Sequence, residues 1–312
     1  MIHRSIHNIL CWLFVLLPSV CLARPVYVNN ATGDDRFTGM FPEIRSAADG
    51  PVATIGRALR IAQGGDAIII ANTGIPYGES VMVDRPELIG SNPPRVANED
   101  LVYSYHPYRT GSEWVGEFPL IIEGQGAVLR GTQPLAPGVW TRVGEGTYRY
   151  QPLRKAHYRL VVNGAVAREV PVERSRTAPP ELAPLEWCAF RGFVYFRVEP
   201  GRYIDQYEIE APRFDVGLGL HNARNVIVRN LNIESFRLDG VAVTGNCRNV
   251  RLENIRSTGN GRAGLAVSGT SQVLSAGLDL AGNRVTDRLA LLKGRVIDVP
   301  GSVAPDPVVP NP

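Results

Sequence analysis

Twenty-one residues beginning at Asn225, NVIVRNLNIESFRLDGVAVTG, recur 24 residues later as NVRLENIRSTGNGRAGLAVSG. Asn225/Asn249, Val226/Val250, Asn230/Asn254, Gly240/Gly264, Ala242/Ala266, Val243/Val267 and Gly245/Gly269 match without a gap. A fixed short period restricts a chain to stacks of near-identical units. Within each unit the apolar residues alternate: Val226, Val228, Leu231, Val241 and Val243 in the first, Val250, Leu252, Ile255, Leu265 and Val267 in the second. Alternation of period two marks short strands with one buried face. Some 24 residues are too few for a strand–helix–strand unit but suit two or three short strands separated by bends. Stacking such units places each strand parallel to its copy, about 4.8 Å away. Asn230 then lies over Asn254 at a turn, where stacked amides can satisfy backbone groups. The expected fold is an all-β, right-handed parallel β-helix. Gly/Asn punctuation disfavours the competing tandem-helix repeat.

Further units flank the pair. Leu218 and Leu220 precede Val241 and Val243 by 23 residues, and Leu278, Leu280 and Val285 follow at a slightly longer interval. Near the start, Ile55, Ala58, Leu59 and Ala62 fall at i, i+3, i+4 and i+7, the spacing of an amphipathic helix. A helix over 54–64 is expected to cap the exposed end of the stack, with DAIII as the strand beneath it. Residues 133–204 have another texture: alternating strands joined by Gly turns, with Asn163-Gly164 as the strongest hairpin signal. They are read as an antiparallel β-module inserted between β-helix parts at 24–132 and 205–290, with a Pro-rich tail over 291–312. After Asp287 the chain is expected to leave the ladder. A small cap at Leu289–Leu292, a partner over the end, and truncation of a longer relative all remain open.

The chain's first 23 residues read as a secretory signal. His3, Arg4 and His7 precede the apolar run ILCWLFVLLPSVCLA, which ends at Ala23. Its 15 residues fall short of the roughly 20 that span a bilayer. A soluble exported protein, secreted or periplasmic, is expected, with no membrane span. A net charge of +3 with 20% charged residues does not suggest a nucleic-acid binder. Cleavage leaves Cys188 and Cys247, in different substructures, so two separate thiols are expected.

The segments VYVNNATGDDRFTG and GPVATIGRALRIAQGGDAIIIANTGIPYGESV, followed by the NVxVRNLxI…DGVAV units, resemble secreted right-handed β-helix proteins of the pectate-lyase-like superfamily. The resemblance covers residues 25–132 and 205–290 at the level of fold. It implies that architecture and a polysaccharide or glycan partner, since the superfamily holds lyases, glycoside hydrolases, epimerases and adhesins. Some β-helix glycosidases carry similar insertions. No family-specific catalytic string is present.

Candidate chemistry sits at the edges of the stack. Asp215 precedes Leu218 and Asp239 precedes Val241, so both lie just before equivalent strands. One unit of rise, with one bulged residue, puts the carboxylates about 5–6 Å apart, near the ~5–5.5 Å of retaining glycosidases. Arg237 and Arg262 are placed to keep one ionised while crowding raises the other. Against this, Asp before Gly at a bend commonly caps backbone N–H groups. His221 occupies the ladder position of Thr244 and Ser268 and is expected to be a polar turn residue. The segment YSYHPYRTGSEWVGEF (103–118) gathers Tyr103, Tyr105, His106, Tyr108, Arg109 and Trp114. Aromatic faces stack on sugars, Arg109 can pair with a uronate, and His106 can serve as the base of a lyase. Asp34-Asp35 offers oxygen ligands that suit calcium, but two adjacent acids fall short of a shell and a turn is the stronger expectation. Two functions follow: a polysaccharide glycosidase or lyase, or a non-catalytic glycan-binding or adhesive protein. Carboxylates tied into local bonds would favour the second.

Overall fold

The structure is a computed structural model that describes residues 23–84 and 119–300. Residues 1–22 and the segment 85–118 lie outside it, as does the end of the Pro-rich tail. The described chain is mostly β, with one α-helix and three parallel sheets.

The alternation read from the repeat is realised as strand pairing one period apart. The largest sheet has seven strands in the order Pro25–Val28, Ala67–Ile70, Leu120–Glu123, Arg224–Arg229, Arg248–Glu253, Gln272–Ala276 and Arg295–Asp298. In it Val226 pairs with Val250 and Val250 with Val273, so like sits over like. A five-stranded sheet runs Val81–Val83, Val216–His221, Asp239–Thr244, Ala263–Val267 and Thr286–Ala290. A three-stranded sheet joins Val128–Arg130, Asn232–Glu234 and Arg256–Thr258. The inward residues of all three sheets merge into one apolar core that includes Ile68, Leu129, Val228, Ile233, Val241 and Val267. Among the described residues no helix is long and apolar enough to cross a membrane.

Bends between strands are set by residues that tolerate a left-handed backbone. Asn230, Asn254 and Gly277 occupy one such position in successive repeats, with φ of 54°, 51° and 64°. The Asn254 amide donates to Asn230 Oδ1 at 3.2 Å, and the Asn230 amide donates to Glu123 Oε1 at 3.0 Å. A polar ladder therefore runs along the turn, as the sequence suggested.

The helix forms at Ile55–Ile61, with Thr54 as N-cap accepting from the Arg57 N–H. Ile55, Ala58 and Leu59 bury its apolar face against the first strands of the core. Glu79 accepts the N–H groups of Ile55 and Gly56, both at 2.9 Å, a cap that the sequence did not announce. Ala67–Ile70, the strand from DAIII, is fully buried.

Pairing in the middle of the chain is antiparallel except between Arg168–Glu169 and Glu186–Phe190, which run parallel. Five strands lie in the order Arg168–Glu169, Glu186–Phe190, Phe193–Arg197, Thr147–Tyr150 and Thr141–Gly144. A second sheet joins Ala165–Val166, Val161–Val162, Ile209–Pro212 and Thr132–Pro134. Asn163 and Gly164, at φ of 50° and 78°, form the expected hairpin between Val161–Val162 and Ala165–Val166. The pairing of Ile209–Pro212 with Val161–Val162 and Thr132–Pro134 carries the antiparallel region past residue 204. An aromatic core of Trp140, Tyr150, Tyr158, Trp187 and Phe196 fills it. Cys188 and Cys247 are both free and buried, in separate parts of the fold.

The expectation that the ladder ends at Asp287 is corrected. Thr286–Ala290 pairs with Ala263–Val267, and Arg295–Asp298 pairs with Gln272–Ala276. The reason is local: no proline occurs between residues 286 and 298, so every backbone donor the ladder needs is present, and the prolines begin at Pro300. Asp298 closes this last repeat by accepting from Ser275 Oγ and pairing with Arg288 at 2.6 Å.

The left-handed asparagines give a direct test. Asn254→Ala should lower stability in denaturant unfolding by about 1–2 kcal/mol, through strain at positive φ and a lost ladder bond. Asn254→Gly should recover the backbone share of that loss.

Candidate functional site at the seam

The bend before the strand Val216–His221 and its copies is where the antiparallel module meets the parallel sheets. Val216, Asp239, Ala263 and Thr286 stand in one register. The residues immediately before them are therefore level with one another: Asp215, Leu238, Arg262 and Val285. Asp239 stands opposite Val216, so Asp215 and Asp239 are offset by one residue, the bulge that the sequence reading allowed for. The repeat is 23 residues at this step and 24 at the next. Asp239 has no exposure, whereas the Asp215 side chain is 34% exposed.

Each carboxylate is held by its own arginines. Asp239 takes Arg262 Nε at 2.9 Å and Nη2 at 2.5 Å, a two-point contact. Asp215 takes Arg237 Nε at 2.6 Å and Arg154 Nη1 at 2.7 Å. The Arg237 hydrogen bond, followed by that of Arg154, holds the Asp215 carboxyl below its ordinary range, with burial opposing. It is ionised at neutral pH.

Arg154 belongs to the module and Arg237 to the parallel sheets, so Asp215 ties the two together. Arg237 also donates through Nη1 to the carbonyls of Lys155 at 3.0 Å and Ala156 at 3.4 Å. Ala156 and His157 follow each other at φ of 71° and 50°, a left-handed pair without glycine. Such conformations persist where surroundings impose them. One repeat on from Arg237, Gly261 leaves room for the module: a Cβ there would lie 2.1 Å from the carbonyl oxygens of both His157 and Arg237. One repeat further, Arg284 grips Glu169 of the module with contacts of 2.5 and 2.7 Å.

His157 lies inside this seam. Burial pushes its imidazole below the ordinary range; a backbone hydrogen bond with Gly261 acts the other way, and Arg284, Arg262 and Arg237 add to the lowering. A neutral imidazole among guanidinium groups can accept a proton, and the guanidinium groups can hold anionic or hydroxyl-rich ligands.

The other expected sites resolve separately. Asp34 pairs with Arg36, which holds its carboxyl at about 2, and Asp35 accepts from the Ala53 and Thr54 N–H groups and the Thr54 hydroxyl. These are turn and cap roles, and among the described residues no three His, Cys, Asp or Glu side chains gather as metal ligands. His221 bonds Thr244 Oγ1 at 2.9 Å in its expected ladder place. Tyr105, His106, Arg109 and Trp114 lie outside the described residues. Arg154, His157, Glu169 and Arg284 went unremarked in the sequence. The one available signal was the period itself, which places Arg237, Gly261 and Arg284 at successive steps.

No protein-family model matches the chain, and no curated protein matches it. Among solved structures, one titled "Glycoside hydrolase" is similar with a TM-score of 0.54 and 14% identity, over 86% of this chain and 67% of its own. Another, titled "The complex structure of XylC with xylose", gives a TM-score of 0.37 and 11% identity, over 88% of this chain and 70% of its own. The first shows a shared fold.

Two outcomes test the seam. Gly261→Ala should destabilise by about 1–3 kcal/mol or more, since the new methyl meets backbone rather than a mobile side chain. In the folded state His157 binds its proton less readily than at its ordinary value of 6.5. Stability is thus complete above that value and should fall as pH drops below it. Asp215, lowered from 3.8, adds a loss at more acid pH as the carboxylate protonates. Melting temperature against pH should show both, and His157→Gln should flatten the upper portion.

Proposed function

We propose that this chain is an exported, carbohydrate-active protein with a right-handed parallel β-helix architecture, and that a polysaccharide lies along the seam. The parallel sheets around one core, stepped at 23–24 residues, support the architecture. The apolar leader supports export. The fold shared with a structure titled "Glycoside hydrolase" supports carbohydrate as the substrate class.

The observation that carries the reading is Asp215, a part-exposed carboxylate kept ionised by two arginines at an edge built by both parts of the fold. Such a group can attack an anomeric carbon or stabilise the oxocarbenium-like charge that develops there. Asp239 lies beneath Arg262 and is a positioning residue in this scheme, holding that guanidinium at the edge. Arg237 and Arg262 then face the sugar hydroxyls or acid groups. A second reading, non-catalytic glycan binding, is favoured by the arginine contacts that occupy both carboxylates.

The deciding experiment incubates the mature protein with a panel of neutral and acidic polysaccharides. New reducing ends and the ultraviolet absorbance of unsaturated sugars are followed together. Hydrolysis yields reducing ends alone, and Asp215→Asn should then cut the rate by about a hundredfold or more. An unaffected Asp215→Asn enzyme would remove Asp215 from the chemistry. Elimination would yield both signals and direct mutagenesis to His106 and Arg109. Binding without products would establish the second reading.

A further inference from the structure

The five-stranded and seven-stranded parallel sheets meet at a corner beyond His221, at the other end of the strand Val216–His221 from the seam. Successive repeats supply its turns: residues 221–225, 244–249, 268–272 and 290–295. Side chains tie the turns to one another, with Asn222 Oδ1 accepting the Asn246 N–H at 2.9 Å and Thr270 Oγ1 donating to Asn246 Oδ1 at 3.1 Å. These turns carry Arg224, Arg248, Lys293 and Arg295 and no Asp or Glu. All four cations are exposed.

Two features of this corner work against the stability of the stack. First, Arg224 stands opposite Arg248. Where charged residues otherwise face each other across the described parallel strands, their signs are opposite: Arg229 lies between Glu123 and Glu253, and Arg130 faces Glu234. Like charges on neighbouring strands repel. Second, Asn222, Gly245, Gly269 and Leu292 hold one left-handed position in successive repeats, with φ of 52°, 80°, 74° and 60°. Asparagine and glycine tolerate that backbone, whereas leucine is strained by it. Leu292 is also 91% exposed, and Leu291 beside it 46%. A strained leucine in water, next to Lys293, gains nothing from packing inside the molecule.

We propose that this corner docks on an anionic lipid surface. Leu291 and Leu292 enter the boundary between headgroups and acyl chains. Arg224, Arg248, Lys293 and Arg295 meet lipid phosphates over about 14 Å, three strand spacings of about 4.8 Å. The contact is peripheral: among the described residues no helix is long and apolar enough to cross a membrane. A soluble acidic polymer would also suit the cations, but it gives the exposed leucines no role. The seam lies at the other end of the same strands and stays open, so this inference is independent of the carbohydrate reading.

Sedimentation of the full mature chain with vesicles tests it, using phosphatidylcholine alone and phosphatidylcholine mixed with phosphatidylglycerol. The protein should pellet with the mixed vesicles and not with the neutral ones, and less so in high salt. Replacing both arginines, Arg224→Gln with Arg248→Gln, should weaken binding by about tenfold or more. Two single variants separate docking from stability. Arg248→Glu faces Arg224 with an opposite charge, as Glu253 faces Arg229, and Leu292→Gly restores the residue of the two preceding repeats. In each the melting temperature should hold or rise while vesicle binding falls, by about tenfold for Leu292→Gly. Equal partition into both kinds of vesicle, binding to neither, or full binding by these variants would overturn the proposal. Capture by a soluble polyuronate or by single-stranded DNA, with no vesicle binding, would also overturn it and reassign the corner to that polymer.

Discussion

Parallel hydrogen bonding between residues one period apart is the constraint on which the rest of this molecule depends. It stacks valine on valine inside, where three sheets share one core, and it repeats outer positions at the strand spacing of about 4.8 Å. A side chain at a bend is thereby brought beside its counterpart in the next repeat, whatever chemistry either carries. Asn230 over Asn254 turns that closeness into a ladder of amides. Arg237, Gly261 and Arg284 turn it into a docking edge, with two cations on either side of a gap just wide enough for another backbone.

The antiparallel module is held to that edge by polar contacts that differ in kind. Backbone carbonyls of Lys155 and Ala156 receive Arg237, and the ion pairs Arg154–Asp215 and Arg284–Glu169 cross the seam. Part-exposed ion pairs contribute little singly. The close approach at Gly261 and the left-handed turn at Ala156–His157 supply shape that charge alone does not. The charges at the seam are largely matched, with Asp215, Asp239 and Glu169 each held by arginine.

Much of this was legible in the residues. The matched repeat announced parallel strands and the amide ladder, the i, i+3, i+4 spacing announced the helix at Ile55–Ile61, and Asn163-Gly164 announced its hairpin. These depend on contacts close in sequence or exact in period. What the residues left open or misplaced has one source, which is that register is set by the partner strand. Asp215 and Asp239 look equivalent in the text, but a 23-residue step puts Asp239 opposite Val216, where it is buried while Asp215 stays part-exposed. The ladder continued to Asp298 because the partner strand Gln272–Ala276 offered an edge and no proline intervened.

By itself the sequence determined the period, the alternation of buried and exposed positions, the capping helix and the separation of an antiparallel region from a parallel one. Local propensity and a repeated pattern suffice for these, since each is decided within one repeat or between adjacent copies. Only the tertiary structure decided which charges meet. Arg284 finds Glu169 across 115 residues, and Arg154 and Arg237 converge on Asp215 from bends in different parts of the fold. Pairings of that kind depend on how the module sits against the bend, through a backbone approach at Gly261 that no pattern of residue types encodes.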